Sequence, residues 1–64
     1  MTRAEYETWA RERLAEAFAA DPIGANDAVV TATGGEAFAW SALSVAQLRT
    51  LSALASSICL AARG

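Results

Sequence analysis

The sequence VVTATGGEAFAW, residues 29–40, carries the strongest indication of fold in this 64-residue chain. Before the glycines, Val and Thr alternate with small residues, which is typical of a strand with two unlike faces. Gly34-Gly35 suits a two-residue turn that needs positive φ at both positions. Phe38 and Trp40 have strand propensity on the return. The stretch therefore predicts an antiparallel hairpin over about 28–41.

The predicted hairpin has an aromatic face and a small-residue face. Phe38 and Trp40 share the first with Val29 and Thr31, and we expect this face to be buried, since burying two aromatics contributes several kcal/mol. The alternative is that the small face packs inward and Trp40 is presented to a partner as a binding anchor. Glu36 lies on the aromatic face near the turn, where it reaches water in either case. The small face comprises Ala28, Val30, Ala32, Ala37 and Ala39.

A helix over about residues 2–20 is predicted before the hairpin. Thr2 and Glu5 fit a capping box, and helix-forming residues follow. Asp21-Pro22 ends this helix, because Pro cannot continue the hydrogen-bond ladder, and residues 21–27 are predicted to form a loop. The apolar stripe of the helix, which we expect to face the core, comprises Tyr6, Ala10, Leu14, Ala17 and Phe18.

A second helix over about residues 44–62 is predicted after the hairpin, opened by a capping box of Ser44 and Gln47. Its apolar stripe comprises Leu48, Leu51, Leu54, Ala55 and Ile58. Its opposite face is a line of small residues that favours either a homodimer or close packing within the chain: Ala46, Thr50, Ala53, Ser57 and Ala61. The element order predicts one αββα domain over 1–64, of the α+β class, with the hairpin packed on the helices in two layers.

Composition excludes most enzyme classes. The chain has no His, which removes the commonest general base and metal ligand, and we expect no catalytic activity, metal or cofactor. Its single cysteine, Cys59, is predicted to be a small hydrophobe near the core, with a reactive thiol as the alternative. The net charge of −2 argues against direct nucleic-acid binding.

The sequence also indicates where the chain functions. Its N-terminal segment is charged and lacks the apolar region of a signal peptide. The apolar run near the C-terminus is about a dozen residues long, short of the about 20 that span a bilayer. We expect a cytoplasmic protein that does not bind membranes, in a bacterial host whose GC-rich genome would explain the Ala bias and the use of Arg alone for cations.

One surface of the first helix combines an aromatic ring with carboxylates. Helical spacing places Trp9 among Glu5, Glu12 and Glu16. This group is either the rim of the core or an acidic, aromatic patch that docks on a basic partner. Arg13, four residues after Trp9, is positioned to stack on the indole ring and to reduce the local negative charge.

In format the chain resembles the small anti-CRISPR proteins encoded by phages, which are compact, acidic domains without enzyme motifs. The likeness covers the size and charge of the whole chain and includes no residue motif. It implies a non-catalytic inhibitor that occupies the surface of a Cas protein or a Cascade-type complex. No functional residues are carried over from the resemblance. The surfaces described above supply the candidate partner-binding residues, which are Glu5, Trp9, Glu12, Arg13, Glu16, Glu36 and Trp40.

A second resemblance concerns the segment VVTATGGEAFAWSALSVAQLRTL, residues 29–51, which is similar in pattern to the hairpin-then-helix part of docking domains from multienzyme synthases. It implies a docking or assembly module of a larger bacterial complex, which receives a partner segment by strand addition or in a groove. A self-associating structural subunit is a further alternative, since a small chain without staples gains stability by association.

Overall fold

The computed structural model describes residues 2–35 and 39–63, and this part of the chain is helical. The α-helices are α1 (Arg3–Ala20), α2 (Pro22–Thr33) and α3 (Val45–Arg63), and a 3-10 turn, Trp40–Ala42, precedes α3. The described residues contain no β-strand. The α+β prediction is therefore wrong, and the fold over these residues is all-α.

The two outer helices begin where the sequence predicts, because their capping boxes form. In the first, the Glu5 amide donates to Thr2 Oγ1 at 3.2 Å and the Thr2 amide donates to Glu5 Oε1 at 3.0 Å. In the second, the Gln47 amide donates to Ser44 Oγ at 3.1 Å and the Ser44 amide donates to Gln47 Oε1 at 2.8 Å. Each box satisfies two backbone donors that have no partner inside the helix.

The predicted loop 21–27 and the first predicted strand are together the helix α2. Asp21 ends α1 and caps α2, since its Oδ1 accepts from the Gly24 amide at 3.1 Å. Pro22 follows at the first helical position, where its missing N–H leaves no hydrogen bond unmade. The buried or partly buried apolar side chains of α2 follow the helical spacing i, i+3, i+4, i+7: Ala25, Ala28, Val29 and Ala32.

Gly34 and Gly35 do adopt the positive φ that the hairpin turn requires, but they use it to end α2. Their φ values are 80° and 86°. Gly34 is the left-handed C-cap, and its amide donates to Val30 O at 2.9 Å. Positive φ at a Gly serves a helix C-terminus as well as a tight turn. The strand propensity of the preceding Val and Thr residues is outweighed, and Thr33 Oγ1 donates to Val29 O at 2.7 Å within the helix.

Helices α1 and α3 lie side by side and run in the same direction. Near their N-terminal ends, an Arg3 nitrogen donates to Leu43 O at 2.7 Å, just before α3 begins. Further along, Cys59 Sγ lies 3.9 Å from Arg13 O. At the far end, Ala20 borders the same surface groove as Ala61. Helix α2 is thus the crossover that returns the chain to the starting end.

Over residues 2–35 and 39–63, the core is built from alanine and leucine rather than aromatics. Its buried apolar members are Ala10, Leu14, Ala17, Ala25, Ala28, Leu43, Leu48, Leu51 and Ala55. Ser52 is also fully buried, and its hydroxyl donates to Leu48 O at 2.8 Å. Small side chains allow helices to approach closely, which leaves little space for rings between them.

Several residues expected in the core lie at its edge. Phe18 is 40% exposed, because it follows the buried Ala17 by about 100° around α1. Tyr6, Ile58 and Trp40 are partly buried against the core. The expectation that Trp40 joins Phe38 on a buried strand face is wrong for Trp40, which lies in the 3-10 turn. Phe38 itself lies outside the described residues.

Arg3 fixes the 3-10 turn against the start of α1. One of its nitrogens is within hydrogen-bonding distance of Trp40 O, Ser41 O and Leu43 O, at 3.0, 3.2 and 2.7 Å. Its other nitrogen lies 3.4 Å from Glu7 Oε1. A cation in the first turn of a helix opposes the macrodipole. The three carbonyl acceptors offset that cost and position the entry to α3.

Candidate functional site

The residues predicted to bind a partner do not lie in one place. Glu5, Trp9, Glu12 and Glu16 share a side of α1, and their carboxylates are exposed. Trp40 lies elsewhere, with the guanidinium of Arg11 5.3 Å from its ring centroid. Arg11 and Trp9 are about 200° apart around the helix, so the two tryptophans flank opposite sides of the buried face. Glu36 lies outside the described residues.

Trp9 is half-buried between two surface grooves. The first, here called the acidic groove, has a volume of about 390 Å³ and is lined by Ala4, Glu5, Thr8, Trp9 and Glu12. It lies on the outer surface of α1 and contains two of the carboxylates that the sequence places near Trp9. This groove corresponds to the acidic, aromatic patch predicted from helical spacing.

The second groove, here called the Trp9–Leu60 groove, lies between α1 and α3. It has a volume of about 230 Å³ and is lined by Trp9, Arg13, Ser56, Cys59, Leu60 and Arg63. Leu60 is 65% exposed, although it is a large apolar residue. Among the described residues, the lining contains two guanidinium groups and no carboxylate, so the two sides of the Trp9 ring differ in charge.

The predicted stacking of Arg13 on Trp9 is replaced by an ion pair. Arg13 Nη1 lies 3.0 Å from Glu16 Oε2, three residues further along α1. Both side chains are partly exposed, so the pair contributes at most about 1 kcal/mol. Among the described residues, the cation–π contact instead joins Arg11 to Trp40. Arg13 thus faces the Trp9–Leu60 groove while it neutralises one carboxylate of the acidic side.

Glu5 has a structural as well as an electrostatic role. Hydrogen bonds from the backbone amide and the hydroxyl of Thr2 lower the pKa of the Glu5 carboxyl from its ordinary value of 4.5. The carboxylate therefore stays ionised at the N-terminus of α1, where negative charge also favours the helix dipole. Replacing Glu5 would alter the helix cap together with the acidic groove, which makes Glu12 the better residue for testing that groove.

Sequence reasoning did not identify Ser56, Leu60 and Arg63 as neighbours of Trp9. They lie on α3, about 50 residues away in sequence, and their position depends on α1 and α3 running parallel. Arg3 was missed as well, although a cation in the first turn of a helix is an anomaly that indicates a specific acceptor. Leu60 offered a weaker indication, since it lies beside the line of small residues on the face opposite the apolar stripe.

The small-residue line of α3 is exposed along its length, from Ala46 to Ala61. Within the described residues, the small-residue line is therefore not packed against another part of the chain. The homodimer through this line stays a prediction.

Helix α3 meets the length and composition criteria for a membrane-crossing helix. Its most apolar window has a mean hydropathy of 1.4, and 28% of that window is buried within the protein. The helix is 19 residues long, which corresponds to about 28 Å. Core helices of soluble proteins satisfy the same criteria, so this observation is weak evidence for a membrane span.

Cys59 is partly buried against the core, and its thiol lies 3.9 Å from Arg13 O. This position agrees with the interpretation of a small hydrophobe near the core. Within residues 2–35 and 39–63, no group of three or more acidic or cysteine side chains is arranged to hold a metal ion.

Comparison of the chain with protein-family models, with curated proteins and with solved structures finds no match. The candidate function therefore depends on the two grooves beside Trp9 and on the chemistry of their linings.

Proposed function

We propose that this protein is a non-catalytic protein-binding regulator that acts by occupying a partner's surface, with Trp9 as its anchor. The observation that carries the proposal is the half-buried Trp9 ring between two grooves of different charge. Trp and Arg are among the residue types most enriched at the energetically dominant positions of interfaces. The absence of His from the sequence also favours binding over catalysis.

The class of partner follows from the resemblance to anti-CRISPR proteins. We propose a Cas protein or Cascade-type complex as the first partner to test, in the cytoplasm of a bacterial host. The docking-domain interpretation loses its support, because residues 22–33 of the chain form a helix where that interpretation requires a strand. A purified Cascade-type complex is therefore the defined probe, and a host lysate is the open one.

The test compares Trp9→Ala with Phe18→Ala, a matched control. Phe18 is an exposed aromatic on the same helix, and nine residues of helix place it about 180° from Trp9. We expect the wild type and Phe18→Ala to capture the same partner, and Trp9→Ala to bind at least about tenfold more weakly. All three proteins should melt at similar temperatures.

Two results would contradict the proposal. Equal loss of capture in both variants would show that Trp9 is not a specific anchor. A loss of about 3–5 kcal/mol of stability in Trp9→Ala would identify the ring as a core residue instead. Mass spectrometry of the captured protein then decides between Cas subunits and another assembly.

Two further measurements test the remaining parts of the proposal. Light scattering of the full chain at increasing concentration tests the homodimer, for which the exposed small-residue face of α3 is the candidate contact. Co-flotation with lipid vesicles tests the cytoplasmic location. We expect the protein to remain in the aqueous fraction, and stable vesicle binding would instead favour insertion of α3.

A further inference from the structure

We infer that the Trp9–Leu60 groove receives a protein segment in which an apolar side chain lies close to a single carboxylate. This inference rests on the proposed function and specifies the partner chemistry that one side of Trp9 recognises. It differs from the acidic-patch interpretation, in which the partner surface is basic. The lining of the groove supplies both an apolar part and a cationic part.

The groove is polarised along its length. Because α1 and α3 are parallel, the C-terminal lining residues of both helices lie at the same end of the groove. Arg13 follows Trp9 by four residues on α1, and Arg63 follows Leu60 by three on α3. Arg13 and Arg63 are therefore attached towards the C-terminal end of the groove, while Trp9 and Ser56 are attached towards the other end.

Charge complementarity determines the polar half of the occupant. Glu16, which does not line the groove, pairs with Arg13 at 3.0 Å. The described charged groups of the groove and its rim, which are Arg13, Arg63 and Glu16, therefore sum to one positive charge in a chain whose formal net charge is −2. A single carboxylate matches that charge, and guanidinium groups bind carboxylates with well-defined geometry.

The apolar half of the occupant follows from Trp9 and Leu60. Leu60 is 65% exposed beside the half-buried indole ring. A side chain of Leu or Phe size placed between them removes apolar surface from water on both partners. A groove of about 230 Å³ has room for one such side chain but not for a folded element.

A peptide fits the surroundings better than a nucleic acid does, although nucleotides also combine a flat apolar ring with negative charge. The other side of Trp9 is lined by Glu5 and Glu12. A phosphate backbone that extends from the groove across the Trp9 ring would approach these carboxylates and be repelled by them. A peptide with one carboxylate avoids that repulsion.

The experiment is a selection of random, N-acetylated peptides displayed against the full-length protein, followed by titration of synthetic copies of the enriched sequences. We expect enrichment of peptides with Leu or Phe within a few residues of Asp or Glu. Arg63→Gln should weaken their binding by up to about fivefold, as for an exposed ion pair. Leu60→Ser should weaken it by about tenfold.

Two variants sharpen the test. Glu16→Gln should strengthen binding, because it releases Arg13 from its ion pair. Arg49→Gln is the matched control for Arg63→Gln, since it removes an Arg from the same helix about 21 Å away along the axis. Binding that does not distinguish Arg63→Gln from Arg49→Gln overturns the inference.

Other outcomes separate this inference from the proposed function. Enrichment of basic peptides, with binding lost in Glu12→Gln, overturns the inference but leaves a protein-binding role. Enrichment of no peptide also overturns it, and the capture experiment with Trp9→Ala then judges the proposed function alone. Tight binding of fluorescein-labelled oligothymidylate, weakened by Arg63→Gln, overturns it in favour of a nucleic acid.

Discussion

The α1–α3 pair and the crossover helix α2 are held in different ways. The pair buries leucines along its contact, among them Leu14, Leu48 and Leu51, whereas the buried side chains of α2 are Ala25 and Ala28. A leucine has three more carbon atoms than alanine, worth about 0.8 kcal/mol for each one buried. The pair is therefore stabilised mainly by apolar burial, and α2 depends more on its caps.

The molecule therefore has a stable frame, which is the α1–α3 pair, and a less stable connection, which is α2. Regions with few buried apolar contacts open locally at lower free energy than the core. We expect the amides of α2 to exchange with solvent faster than the central amides of α1 and α3. Both grooves beside Trp9 belong to the frame, so local opening of α2 should leave them intact.

Breaking the frame should have the largest effect. Leu51 is fully buried in α3, and we expect Leu51→Ala to lower the free energy of unfolding by about 2–5 kcal/mol. Urea denaturation followed by circular dichroism measures this change. Leu60→Ala on the same helix is the control and should cost no more than about 0.5 kcal/mol. Equal effects of the two substitutions would contradict the assignment of Leu51 to the core.

Releasing the entry to α3 should have the next largest effect. Arg3→Ala removes the donor to three backbone carbonyls of residues 40–43, and we expect a loss of about 1–3 kcal/mol. Arg3→Lys should recover only part of it, because an ammonium lacks the planar fork of a guanidinium. Arg49→Ala is the control. If Arg3→Ala and Arg49→Ala unfold at the same urea concentration, the hydrogen bonds of Arg3 to these carbonyls contribute nothing to stability.

Removing the N-cap of α2 should lower stability by a smaller amount, and the effect should be confined to α2. Asp21→Ala deprives the Gly24 amide of its acceptor, and we expect a loss of about 1 kcal/mol. Asp21→Asn should retain most of the stability. Native-state hydrogen exchange should show faster exchange in α2 with little change at the centre of α3. A uniform increase across all three helices would mean that α2 does not open separately.

The smallest effect should come from the charge of Glu5 in the cap of α1. Its carboxyl pKa is lowered from 4.5 in the folded state. The ionised form therefore adds stability above that pH, and the contribution is lost as pH falls through the folded pKa. We expect Glu5→Gln, which retains a capping side chain, to reduce the acid sensitivity of unfolding below pH 4.5. Identical acid-denaturation profiles of wild type and variant would contradict this role.

The N-terminal ends of α1 and α3 were predictable from the sequence, because short-range capping interactions define them. Both capping boxes form from residues that are three positions apart, so their detection needs no knowledge of the fold. The central segment was not predictable because Val29, Val30 and Thr31 favour a strand, whereas the spacing of Ala25, Ala28 and Ala32 favours a helix. Tertiary contacts with α1 and α3 decide whether this segment forms a strand or a helix.

The candidate site was only half predictable for a similar reason. Glu5, Trp9 and Glu12 share one helix, so their proximity follows from the helical repeat. The contribution of Leu60 and Arg63 depends on the direction of α3 relative to α1. That direction changes when the connection between them is a helix instead of a hairpin.

The parallel arrangement of α1 and α3 has a consequence for biosynthesis. The contacts that join them span 40 residues from Arg3 to Leu43 and 46 residues from Arg13 to Cys59. Helical proteins fold fastest when contacts are local in sequence. Here α1 and α2 emerge from the ribosome before α3, and the part of the α1 stripe that packs on α3 has no partner in the meantime. We expect the nascent chain to be a substrate for chaperones until α3 has been synthesised.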